Sequence, residues 1–226
     1  LQKINDENVD LVIQGYNFIN GNKITEIVYS EKLVSANDYK ILFEEQKLVN
    51  ASFPFSKLFK KSIIDNNKLR FDEKLSYAED LVFLLNYLPH CEKVFFDDKA
   101  NYNYYNREAS LSKTKRIDQY IRRYQTIKNI LKSSYNVVYN SLFNDAYVTV
   151  SHSLEERLYS ILPLLYKTQK FKKRKEFLEN MDKEDLFFLD KYSNHLHPIF
   201  KFVFNQITKK NYRMADTLLK LIFTIK

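Results

Sequence analysis

The stretch Phe71-Asp72-Glu73-Lys74-Leu75-Ser76-Tyr77-Ala78-Glu79-Asp80-Leu81-Val82-Phe83-Leu84-Leu85 decides how the chain is read. Leu81, Leu84, Leu85 and Leu88 recur at three- and four-residue spacing, which predicts a helix with one stripe against a core. Ser76 suits an N-cap, and Glu79 three residues on can reach back to its amide, as in a capping box. Glu79 and Asp80 then fall in the first turn, where unpaired amides and the helix dipole favour anions. A carboxylate fixed on a rigid helix end can also face a cleft and take a proton from a substrate. Spacing alone leaves both uses open.

Composition narrows the partners. The 226 residues are 45% hydrophobic and 15% aromatic, enough to bury a core in one large domain or two small ones. Thirty-six basic against 28 acidic residues give a net charge of +8, which favours sugar nucleotides, anionic lipid head groups or nucleic acid. The basic residues are spread without a reader motif, which argues against nucleic acid. Cys91 is the single cysteine, so an internal disulfide is excluded and a reducing, cytoplasmic setting fits. No apolar run is long enough to span a bilayer. Gly15 and Gly21 are the only glycines, which rules out glycine-rich phosphate loops.

Working outward, two further blocks flank the acidic pair. Upstream lies Pro54-Phe55-Ser56-Lys57-Leu58-Phe59-Lys60-Lys61-Ser62-Ile63-Ile64; downstream lies Tyr102-Asn103-Tyr104-Tyr105-Asn106-Arg107-Glu108-Ala109-Ser110-Leu111-Ser112. In this order, with Arg70-Phe71-Asp72-Glu73 running into Glu79-Asp80, they resemble the carboxyl-terminal half of bacterial family 2 glycosyltransferases. Those are the GT-A enzymes of capsule, lipopolysaccharide and teichoic acid synthesis. The resemblance implies a mixed α/β fold, with a partial GT-A α/β portion followed by an all-helical carboxyl-terminal bundle. Residues 1–114 would be the acceptor-side half and 115–226 the helical domain.

It also implies a reaction: inverting transfer from a nucleotide-diphospho-sugar to a cell-surface glycan or lipid-linked acceptor. Asp80 would be the general base, with Glu79 capping its helix or binding an acceptor hydroxyl. Lys57 and Phe55 would lie near the acceptor cleft. Arg107, Ser110 and Ser112 would belong to a loop closing over the donor diphosphate or the acceptor. A divalent metal, Mn or Mg, is held in the family by an Asp-x-Asp motif. No such motif precedes Glu79 here, and the chain opens on Leu1. The expectation is a fragment that holds no metal and is inactive alone. Three positions depart from the family: Ala78 and Ala109 stand where it has Gly, and Tyr105 where it often has Arg. Ala78 is expected to cost nothing, because alanine suits a helix.

Elsewhere, Val9 to Ile13, continuing toward Tyr16 and Phe18, reads as a strand, Asn20-Gly21-Asn22 as a turn and Ile24 to Tyr29 as a second strand. Ser35 to Asp38 signals a helix running through Glu45. Ser56 to Ile63 reads as a short amphipathic helix with Lys57, Lys60 and Lys61 on a solvated face. Lys93 to Phe96 and Tyr102 to Tyr105 read as two strands around the turn Asp97-Asp98-Lys99, whose acids are turn formers rather than metal ligands. From Lys115 onward the pattern is helical, with a stripe of Ile117, Tyr120, Ile121, Tyr124, Ile127 and Leu131 and a helix from Val148 that Pro163 interrupts. His195-x-His197 lacks the further ligands a metal site needs. The apolar, lysine-studded tail from Met214 fits packing in the bundle, a homo-oligomer contact, or peripheral attachment to the inner face of the plasma membrane. A second reading of the whole is a non-catalytic interaction or membrane-docking module that keeps part of a transferase domain.

Overall fold

The computed structural model describes residues 8–50, 53–76, 78–106, 116–144, 146–193 and 199–224. The chain forms two compact units that interleave in sequence, the first from residues 1–114 and 126–150, the second from 115–125 and 151–226. The boundary expected at 114/115 is therefore crossed more than once. The reason lies in residues 126–150: buried Tyr135 donates its hydroxyl to the Leu85 carbonyl at 2.6 Å and meets the Phe43 ring edge-on at 5.4 Å.

The first unit is a mixed sheet of β1 (Leu11–Asn20), β2 (Lys23–Ile27), β3 (Lys32–Ser35), β4 (Lys57–Phe59) and β5 (Lys93–Tyr105). The order is β2-β1-β5-β3, with β4 also on β1. Leu11, Val12 and Ile13 are buried as a continuous apolar run, which suits a strand covered on both faces. β1 runs antiparallel to β4 at one end (Leu11 opposite Phe59) and to β2 at the other (Asn20 opposite Lys23). Its parallel pairing with β5 extends from Leu11–Val94 to Ile19–Tyr105. Gly21, at φ +58°, turns the β1–β2 hairpin. Gly15 allows a close approach: a Cβ there would sit 2.5 Å from the Ile27 carbonyl oxygen.

Three expectations change here. Lys57 to Phe59 is a strand, and only Lys61–Asn66 (α1) is helical, because pairing with β1 overrides the local apolar spacing. Lys93 to Tyr105 is one strand rather than two around a turn. Its register against β1 jumps from Gln14–Asp97 to Tyr16–Tyr102, so the acidic stretch is taken up as an irregularity within the strand. The helix carrying the acidic pair, α2 (Glu79–Tyr87), has Ala78 and not Ser76 at its N-cap position, with no side-chain cap bond.

A polar node ties these elements together. The Tyr87 hydroxyl donates to the Asp10 carbonyl at 2.7 Å and accepts from the Lys60 amide at 2.9 Å. The Asp10 carboxylate accepts from the Glu92 and Lys93 amides (2.8 and 3.3 Å) and from Lys60 Nζ (2.9 Å). Burial raises the Asp10 pKa, but these donors more than offset it and hold the carboxyl below its usual range. The node pins the C-terminal end of α2 to β1, β4 and the start of β5.

The helix α3 (Ile117–Ser134) and the short α4 (Asn136–Asn140) follow. The second unit takes in the start of α3, most of α5 (Val148–Thr168), and α6 (Phe171–Glu179), α7 (Lys183–Ser193), α8 (Ile199–Thr208) and α9 (Tyr212–Thr224). Pro163 does not interrupt α5. Leu158, Ile161, Leu162, Leu165 and Tyr166, all buried, hold both sides of the proline on one stripe. Arg174 of α6 forms a buried bidentate pair with Asp216 of α9, at 2.7 and 2.9 Å. Among the described residues no helix is long and apolar enough to cross a membrane.

Candidate active site

Asp80 opens α2, and Lys57 opens β4, twenty-three positions earlier in the sequence. The fold couples them electrostatically. Burial pushes the Asp80 carboxyl up to about 6, the neighbouring Glu79 charge adds to the rise, and Lys57 opposes both. Burial likewise drives the Lys57 ammonium down to about 8, against the pull of Asp80. Among the described residues no group hydrogen-bonds to the Asp80 carboxylate. It is a half-buried carboxyl raised toward neutral pH, a candidate for proton transfer.

The neighbours are also polar and unfilled. Glu79 Oε2 is enclosed without a hydrogen-bond partner among the described residues, and so is Ser56 Oγ. Buried polar atoms rarely remain so, and water, an ion or a ligand can complete such a site. Ser56 is held at φ +56°, left-handed and unusual for a residue with a Cβ, while its carbonyl accepts from the Gln14 amide at 2.8 Å. Sequence reading passed over Ser56; its only signal is its place beside Lys57.

Lys57 Nζ donates to the carbonyls of Phe53 and Phe55, at 2.5 and 3.5 Å. The Phe55 ring in turn stacks on Tyr102 and Tyr104, with centroids 4.6 and 5.0 Å apart. Tyr16 meets Phe55 edge-on at 5.2 Å. An aromatic layer therefore spreads over β1 and β5 from the residues that hold Lys57. Of the residues expected to form the site, Asp80, Glu79, Lys57 and Phe55 lie on these adjoining elements. Arg107, Ser110 and Ser112 fall outside the described residues, as do His195 and His197.

Ala78 has φ +63°, so it occupies the left-handed conformation in which glycine is at ease and alanine is strained. The expectation that alanine costs nothing here is corrected: the position precedes the helix and turns the chain into it.

For a hard cation, one set of three acids stands out among the described residues. Ligand atoms of Glu31, Asp97 and Asp98 lie within 4.8 Å of one another. Asp97 already accepts from Gln14 Nε2 at 2.8 Å, Glu31 has a partner too, and Asp98 is exposed. Two of the three acids are thus already engaged, and the set lies at the surface.

The mixed sheet followed by helices is a fold shared with solved structures. The chain matches the structure of S. aureus TarS residues 1–349 in complex with UDP at a TM-score of 0.50 and 12% identity. That match covers 97% of this chain and 60% of TarS 1–349. The same protein in complex with UDP-GlcNAc matches at 0.48 and 13% identity, over 97% of this chain and 61% of the other. In sequence, 61 residues are 34% identical to the succinoglycan biosynthesis protein ExoO of Rhizobium meliloti (strain 1021), covering 27% of this chain and 18% of that protein. No protein-family model matches the chain. The chain thus spans less than two thirds of the proteins it resembles, and what it shares with TarS is the fold.

Proposed function

We propose that this chain is the acceptor-side part of an inverting glycosyltransferase of GT-A type. It would act on a nucleotide-diphospho-sugar donor and a cell-surface glycan or lipid-linked acceptor. The observation that carries the reading is Asp80: a half-buried carboxyl raised to about 6, unpaired by hydrogen bonds among the described residues, in the electrostatic field of a part-buried Lys57. The likeness of fold to a protein crystallised with UDP supports a nucleotide-sugar donor.

In the reaction, the acceptor oxygen forms a bond to the anomeric carbon while the bond from that carbon to the diphosphate oxygen breaks. Asp80 accepts the acceptor's hydroxyl proton, and the electron pair of the broken bond leaves with the nucleoside diphosphate. A pKa of about 6 leaves Asp80 mostly ionised at pH 7 yet basic enough to take the proton. Glu79 Oε2 and Ser56 Oγ orient acceptor hydroxyls, and Lys57 holds Asp80 in its ionised form. A divalent cation on the diphosphate would neutralise charge on the leaving group. No step proposed here depends on these residues binding one.

The test is sugar transfer from a panel of nucleotide sugars, with Mn²⁺, by the whole polypeptide that the gene encodes, alongside Asp80→Asn. Loss of about 10²- to 10⁴-fold in kcat, with the protein still folded, is the expected result. A variant that transfers at the normal rate would remove Asp80 from the mechanism. Hydrolysis-free silence of the folded native protein across donors and acceptors would count against the transferase reading itself.

A further inference from the structure

In the second unit, α8 and α9 pack against each other, and α9 also packs on α6. The buried side of α9 is complete: Ala215, Asp216 and Leu219 are enclosed, and Asp216 is neutralised by the two bonds from Arg174. Its outer side is not polar throughout. Met214, Leu218 and Leu221 recur at i, i+4 and i+7, with Met214 42% and Leu221 48% exposed. Leu218 between them is partly exposed. On α8, Phe202 is 47% exposed.

Within the hairpin itself the exposed charge has one sign. Lys201, Lys209, Lys210, Arg213 and Lys220 are all exposed. Between Ile199 and Thr224 the sole acidic residue is Asp216, which the Arg174 pair has withdrawn into the core. The α8–α9 hairpin therefore carries four exposed cations besides Lys220, which has an interaction of its own, together with an apolar stripe and no exposed carboxylate of its own. On α9, Arg213 and Lys220 are seven residues apart and flank one side of the Met214–Leu218–Leu221 stripe, as the helical repeat requires. This is the pattern of a helix that lies in a bilayer interface, apolar side chains among the acyl chains and cations among head groups.

We propose that the α8–α9 hairpin is a docking surface for an anionic lipid bilayer. The single sign of the charge selects this occupant. An apolar helix of a partner protein would need only the stripe, whereas an anionic membrane uses the stripe and the cations together. The inference stands apart from the proposed transfer reaction, because it uses no residue of that site.

The experiment is co-sedimentation of the full 226-residue chain with vesicles of phosphatidylcholine, with and without about 30 mol% phosphatidylglycerol. Binding to the anionic vesicles alone, reversed by about 0.5 M salt, is expected. Arg213→Gln with Lys209→Gln should weaken partitioning about 25-fold, since each basic residue near the surface contributes roughly fivefold. Met214→Ser with Leu221→Ser should weaken it by about tenfold or more while leaving the melting temperature in place, because both positions are exposed. Equal binding to neutral vesicles, absence of binding, or indifference to both pairs of substitutions would overturn the proposal. So would a dimer in light scattering that the serine pair converts to monomer with lipid binding unchanged, which would give the stripe to a second copy of the chain.

Discussion

Asp80→Asn should make the folded chain more stable at pH 8 while it removes the proposed base. In the fold the carboxyl titrates at about 6, against 3.8 for a free aspartate, so the folded state prefers the protonated form. Stability linked to this group is full below pH 3.8 and is lost as pH rises through about 6. Above that the folded protein carries the whole cost of an ionised, partly buried carboxylate. The gap of about two pH units, at about 1.4 kcal/mol each, sets an upper bound near 3 kcal/mol. Because the group remains partly open to solvent, screening reduces this to roughly 1 kcal/mol. The attraction to Lys57 is already contained in the value, so it is not subtracted again. Asparagine resembles the protonated carboxyl in shape and charge, and it escapes the cost. Urea unfolding of both proteins at pH 8 and pH 4 should give a variant more stable by about 1 kcal/mol at pH 8, with the gain gone at pH 4. A variant less stable at pH 8, or a gain that does not depend on pH, would refute the argument.

Ala78→Gly should raise the melting temperature by about 2–4 °C, since releasing alanine from φ +63° recovers on the order of 1 kcal/mol. Gly15→Ala should cost about 1–3 kcal/mol in chemical unfolding, because the new methyl meets the Ile27 carbonyl at 2.5 Å and that oxygen belongs to backbone. Arg174→Met should cost about 3–5 kcal/mol by stranding the Asp216 charge in the core, and adding Asp216→Leu should recover most of it. In the active polypeptide, kcat/KM should fall below pH 6 as Asp80 protonates, and Lys57→Met should move that limb upward by about half to one pH unit. A limb that stays in place would separate Lys57 from Asp80.

Ala78 and Lys57 mark where the sequence stops being legible. The leucine spacing of α2 is local, and it predicts the helix correctly. The start of that helix is not settled locally: Ser76 with Glu79 fits a capping box, yet the chain enters the helix through a left-handed Ala78. Only the resemblance, with glycine at that position, hinted at the turn, and helix propensity argued the other way. Lys57 fails for a different reason. Apolar residues from Phe55 to Ile63 fit a helical period, but pairing of Leu11 to Ile13 with Lys57 to Phe59 joins residues more than forty positions apart. No window of sequence contains that pairing. The same holds for the parallel β1–β5 ladder, whose partners lie about eighty residues apart and whose register jump disguised one strand as two.

The site depends on those illegible steps. The pairing of β4 with β1 brings the Lys57 ammonium into the field of a carboxylate that helix α2 presents, and burial then brings both toward neutral pH. Neither residue is unusual by itself. Burial and the neighbouring Glu79 raise the Asp80 carboxyl, and the β4 strand, standing where the local sequence suggests a helix, supplies the Lys57 charge that opposes the rise, so losing that pairing should push the carboxyl higher still.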